Sequence, residues 1–160
     1  MGNLMANDIR AQYGKAFATV RGIAEAFPDD KWLVPHGDVY YIPSRIAYHL
    51  AVFTGKFVAG GYKDPDFNAK LPFGNWMEGT DKTLPGKAAF LAYFDEVAEK
   101  AKKELEQLDD GTLASPIAPE MAWMGGSQMG IHIYAMREIS DHTGELNKML
   151  VEDGLDDVWR

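Results

Sequence analysis

Four long stretches in which apolar residues recur every three to four positions restrict this chain to a helical fold. The first runs from about Ala6 to Phe27 and sets Ile9, Tyr13, Phe17, Val20, Ala24 and Phe27 on one stripe, before Pro28-Asp29-Asp30. The second opens on Pro43, a residue suited to the first helical turn, and runs to about Ala59 ahead of Gly60-Gly61. Its stripe reads Ile46, His49 or Leu50, Phe53 and Phe57. The third spans about Gly86 to Leu108, with Phe90, Phe94, Val97, Ala101, Leu105 and Leu108 inward. Glu96–Lys100 and Glu99–Lys103 mark its solvated face, and Asp109-Asp110-Gly111 stops it. The fourth spans about Ser127 to Val151, with Ile131, Ala135, Ile139, Leu146, Met149 and Leu150 near one side. An all-α four-helix bundle follows, one domain over residues 1–160, with long irregular segments between helices.

The longest of those segments, residues 60–85, is rich in Gly, Pro and aromatic residues, including Phe67, Phe73 and Trp76. Segments of this length in compact domains are lids or linkers, and the aromatic content favours a packed lid. Composition narrows the chemistry. There is no Cys, so thiolate zinc sites, iron–sulfur clusters, disulfides and cysteine nucleophiles are all excluded. A formal net charge of −8 disfavours phosphate backbones and anionic membranes as partners. No apolar run is long enough to span a bilayer. The first eight residues lack the basic and apolar regions of a signal peptide, which makes a cytoplasmic location the expectation.

Function is sought where polar residues interrupt the apolar stripes, because burying them unpaired costs several kcal/mol. His49 falls between Ile46 and Phe53. Glu138 and His142 are four residues apart in the fourth stretch, about 40° apart around a helix and one turn along it. Both side chains can therefore address one point, and His49 can reach that point from a facing helix. Two imidazoles and a carboxylate make a site for Zn²⁺, Ni²⁺ or Fe²⁺ with coordination positions left open. A metal-free, hydrogen-bonded His–Glu–His cluster is the alternative reading of the same residues. A di-iron carboxylate centre is disfavoured. His142 and Glu145 stand in the reverse of the Glu-x-x-His order, and no Glu lies near His49.

The runs Arg45-Ile46-Ala47-Tyr48-His49-Leu50 and Glu138-Ile139-Ser140-Asp141-His142-Thr143-Gly144-Glu145-Leu146 resemble the DinB-like (YfiT-like) superfamily of four-helix bundles. So does the tail Gly154-Leu155-Asp156-Asp157-Val158-Trp159. One departure stands out: Glu138 occupies the place of the first His in the family's paired motif. The more anionic ligand set would weaken Lewis acidity at the metal. The resemblance implies a metal-binding bundle, often a homodimer. It also implies transfer or isomerisation chemistry in which a low-molecular-weight thiol meets a small electrophile, the thiol arriving as a cosubstrate. A non-catalytic, stress-associated dimer with a structural or vestigial site is the alternative.

Trp32, Tyr40, Tyr41, Trp76 and Trp123 are candidates for a pocket wall, although aromatics in bundles more commonly fill core or interface positions. Asp141 either orients an imidazole or faces solvent, and Arg45 flanks His49. His132 is ten residues from His142 and too far along the helix to share its ion. His36, in Pro35-His36-Gly37-Asp38, is expected in an exposed loop. Met121, Met124 and Met129 read as flexible core filling, and no glycine motif for nucleotides is present.

Overall fold

A computed structural model describes residues 3–80 and 82–159. The single-domain reading of residues 1–160 also takes in positions 1, 2, 81 and 160, which lie outside the described residues. The protein is all-α, and no strand occurs among the described residues. Its four long helices are α1 (Leu4–Ala26), α2 (Pro43–Phe53), α3 (Lys87–Glu106) and, after the short α4 (Asp110–Ala114), α5 (Gln128–Glu152). α1 packs on α3 and α5, and α2 packs on the same two helices, so the contacts close into a ring.

The stripes read from the sequence become the core. Tyr13, Ile23, Ile46, Leu50, Phe90, Ala135 and Leu150 are completely buried in it. Phe17 meets Phe94 edge-on at 6.1 Å, and Phe90 stacks on Phe94 at 5.7 Å. Each such side chain contributes roughly 1.5–3 kcal/mol by leaving water. Helix ends are tied by side chains as well. Arg10 Nε donates to the Leu105 carbonyl at 2.9 Å, satisfying an end of α3 that has no partner within the helix. The Asp109 side chain accepts from Thr112 N at 2.6 Å and caps α4.

Three local outcomes differ from the sequence expectation. The second helical stretch does not stay α-helical to Ala59: after Phe53 it widens into a π-helical turn over Thr54–Val58. The segment after Asp109 is not wholly irregular, since it forms α4 and a 3₁₀ run over Pro119–Met124. His36 is not exposed. Gly37 has φ 78°, and His36 N donates to Tyr41 O at 2.8 Å. That tight turn folds the imidazole back between Glu152 and Asp153, where 11% of the side chain remains exposed.

The described residues of the segment from Gly60 to Pro85 form a packed layer against α2. Ile42, Tyr48, Val52 and Leu84 make a second small core there, with Leu71, Phe73 and Trp76 against it. Pro85 O accepts from both Trp32 Nε1 (2.9 Å) and Ser44 Oγ (2.7 Å), closing the segment onto the start of α2. Among the described residues, no helix is long and apolar enough to cross a membrane.

Candidate metal centre

His49 is carried by α2, and Glu138 and His142 by the facing helix α5. The structure brings all three together: one ligand atom from each lies within 4.8 Å of the other two. Glu138 Oε2 sits between the rings, 3.9 Å from His49 Nε2 and 3.7 Å from His142 Nε2. Both distances are too long for hydrogen bonds. Two atoms that share one tetrahedral ion at bonds of about 2.0–2.2 Å stand about 3.3–3.6 Å apart, so both separations need close by only a few tenths of an ångström to meet a common ion. The side chains of His49, Glu138 and His142 are 12%, 19% and 15% exposed, so the point they address is close to the surface but mostly out of water.

Protonation favours ligation. Burial, and then the neighbouring His142, push the His49 imidazole down to about 4, against the opposing pull of Glu138. At neutral pH the ring is uncharged, the form that binds a metal. Among the described residues its buried Nδ1 has no hydrogen-bond partner, which leaves Nε2, on the Glu138 side, as the atom able to act. His142 is fixed from behind. Its Nδ1 lies 2.7 Å from Glu145 Oε2, and a carboxylate can only accept, so Nδ1 holds the proton. In the neutral tautomer this fixes, the lone pair is on Nε2, the atom on the Glu138 side.

The surroundings set the ring positions. Trp76 lies over His49 with ring centroids 4.0 Å apart, and His142 stands edge-on to His49 at 4.7 Å. Arg45 puts Trp76 there. Its guanidinium, 7% exposed, donates to the Trp76, Met77 and Gly79 carbonyls and holds the 76–79 turn against α2. Tyr48 Oη adds a bond to Gly74 O at 3.0 Å. On the other flank Tyr134 lies beside Glu138, its phenol raised by burial first and then by that carboxylate. Arg137 covers the Tyr134 ring at 4.5 Å and approaches Glu138 Oε1 to 3.7 Å.

The remaining sequence candidates separate clearly. Trp76 is at the site. Tyr40 and Tyr41 sit at its edge, Tyr40 with its ring 6.3 Å from Trp76. Trp32 is core, packed on Phe27 and Phe90. Trp123 is 60% exposed and lies against the Tyr134 and Phe57 rings. Met124 is buried, and Met121 and Met129 are half-buried. Asp141 faces solvent, so the orienting carboxylate is Glu145 instead. The spacing could have shown this: Glu145 is three residues past His142 and on its face, whereas Asp141 is one residue before it and 100° away. His132 lies outside the cluster, as its height along α5 requires. A cavity of about 500 Å³ lies elsewhere, between Lys56, Phe57, Tyr62, Phe67 and Trp123. No protein-family model and no curated protein matches this sequence.

Proposed function

We propose that this protein is a divalent-metal-binding four-helix bundle of the DinB-like kind, with His49, Glu138 and His142 as ligands to Zn²⁺, Ni²⁺ or Fe²⁺. The observation that supports it most directly is the convergence of three ligand atoms, from two facing helices, within 4.8 Å of one another. The reading extends to a metal-dependent transferase or isomerase that joins a low-molecular-weight thiol to a small electrophile. When bound, a divalent ion supplies the Lewis acidity that lowers the pKa of a coordinated thiol.

The chain's own residues have defined tasks in this scheme. Glu145 keeps the proton of His142 on Nδ1 and so keeps Nε2 free. Trp76 limits the movement of His49 and excludes water from one side of its ring. Glu138 supplies the charge that offsets part of the cation's. Tyr40, Trp76 and Tyr134 place aromatic faces near the three ligands, against which a small organic substrate would pack. A homodimer in a cytoplasmic setting belongs to the same proposal, and Leu4, Met5, Ile133, Val151 and Trp159 are exposed apolar residues that a second copy could cover.

The test begins with metal content after purification without an affinity tag, followed by thermal unfolding with added Zn²⁺ or Ni²⁺. At a metal concentration a hundredfold above Kd the folded state gains about 2.7 kcal/mol, which raises Tm by roughly 5–10 °C for a chain of this size. His49→Ala and His142→Ala should lose the shift, and His132→Ala should keep it. No bound metal and no shift in the wild type would sink the reading. A metallated protein inert toward a panel of thiols and electrophiles would leave the structural-site alternative standing. Light scattering that finds a monomer at micromolar concentration contradicts the dimer.

A further inference from the structure

One histidine outside the triad is also held away from water. His132, on α5, is 6% exposed, and the completely buried Tyr13 of α1 lies against it. Tyr13 Oη is 3.2 Å from His132 Nδ1 and 3.3 Å from the His132 carbonyl oxygen. A phenol has one proton to give. If it goes to the carbonyl, Nδ1–H can donate to the phenol oxygen and both contacts are hydrogen bonds. If it goes to Nδ1, the carbonyl contact has no hydrogen. The arrangement that satisfies both places the ring proton on Nδ1 and leaves a lone pair on Nε2. Burial keeps the ring neutral at pH 7.

Among the described residues nothing pairs with Nε2, and the atom is not sealed from solvent. His132 instead lines a cavity of about 200 Å³ between α3, α4, the start of α5 and the turn after the π-helical stretch. Gln107, Thr112 and Gln128 bring polar groups to its wall, and Phe57 and Leu105 bring apolar ones. Its two charged residues, Lys63 and Glu104, pair with each other at 2.8 Å. A cation entering the cavity would meet Lys63. An anion would meet Glu104 and the imidazole lone pair. The volume is below that of sites for drug-sized ligands, so it suits a fragment-sized molecule.

We propose that this cavity is a second binding site, independent of the metal centre, for a small neutral molecule that donates an N–H or O–H to His132 Nε2. Pyrazole is a suitable probe because 1-methylpyrazole has nearly the same shape and no donor. The experiment is nitrogen NMR of the histidine rings in the full chain, with chelator present so that neither probe can bind a metal. In the free protein His132 should show a protonated Nδ1 and a bare Nε2. Pyrazole should shift the Nε2 resonance saturably, and 1-methylpyrazole at the same concentration should leave it in place. Tyr13→Phe, which removes the partner that fixes the proton, should weaken pyrazole binding about tenfold, a loss of about 1.4 kcal/mol. A protonated Nε2 in the free protein, no response to pyrazole, or equal responses to both probes overturns the proposal. All three measurements use the wild-type chain and do not depend on a variant folding.

Discussion

His142 meets the two carboxylates of its own helix on different terms. Glu138, four residues earlier, stands 3.7 Å from Nε2, while Glu145, three residues later, lies 2.7 Å from Nδ1. On the proposed reading, one is placed to share an ion with the imidazole and the other to hold its proton. Glu145 therefore belongs to the candidate site although it would offer nothing to a metal. Outer partners of this type are worth about 10- to 100-fold in metal affinity. Glu145→Ala is expected to weaken Zn²⁺ binding by that factor with unchanged stoichiometry, as measured by calorimetry against a competing chelator. Glu145→Gln should retain part of the affinity, because the amide oxygen can still accept from Nδ1–H. A Glu145→Ala protein with wild-type affinity would show that the packing of α2 on α5 orients His142 by itself.

At the scale of elements, the structure divides into what period determines and what long-range contact determines. The four stripes were legible because burial repeats every three to four residues, and Glu138 and His142 were legible because one turn of helix brings them to one face. That the segment after Gly60 packs was legible from its aromatic residues, but where it packs was not. Nothing local says that Arg45 will be buried, since its partners are backbone carbonyls 31 to 34 residues away, a kind of bond that leaves no side-chain signature. The π-helical turn over Thr54–Val58 was hidden for a related reason. It falls where Gly55 packs against the Phe67 ring, and Gly61 is held so close that an added Cβ would lie 2.5 Å from that ring. Arg45→Met tests the outer layer directly. It keeps most of the buried volume and strips the 76–79 carbonyls of their donor. Leaving such groups unsatisfied costs about 1–3 kcal/mol each, reduced where the turn can swing out to water. Urea unfolding should show a loss of a few kcal/mol, and amide exchange should quicken at residues 74–80 ahead of the core helices. Unchanged exchange in that turn would mean that Tyr48 and the second core hold Trp76 over His49 without Arg45.

For the whole molecule, part of the dependence of stability on pH comes from groups that burial keeps uncharged, and His132 shows the sign. Burial lowers its pKa from 6.5 to about 4. Between those values the unfolded chain binds a proton that the folded chain refuses. The contribution of His132 is thus fully present above pH 6.5 and is lost as the pH falls toward 4. By linkage the loss between pH 7 and pH 4 is on the order of 3 kcal/mol. The contacts around the ring do not reverse this: Tyr13 beneath it is neutral, its phenol pushed well above the ordinary range by burial. The charged residues of the adjoining cavity, Lys63 and Glu104, are engaged with each other. Carboxylates elsewhere also respond to acid, so the measurement is a comparison. His132→Asn keeps a polar group against Tyr13 and removes the titration. The variant is expected to be less stable than the wild type at pH 7 in urea, with the gap narrowing by about 3 kcal/mol as the pH is taken to 4. Parallel stability curves over that range would show that the His132 imidazole does not resist protonation in the folded protein.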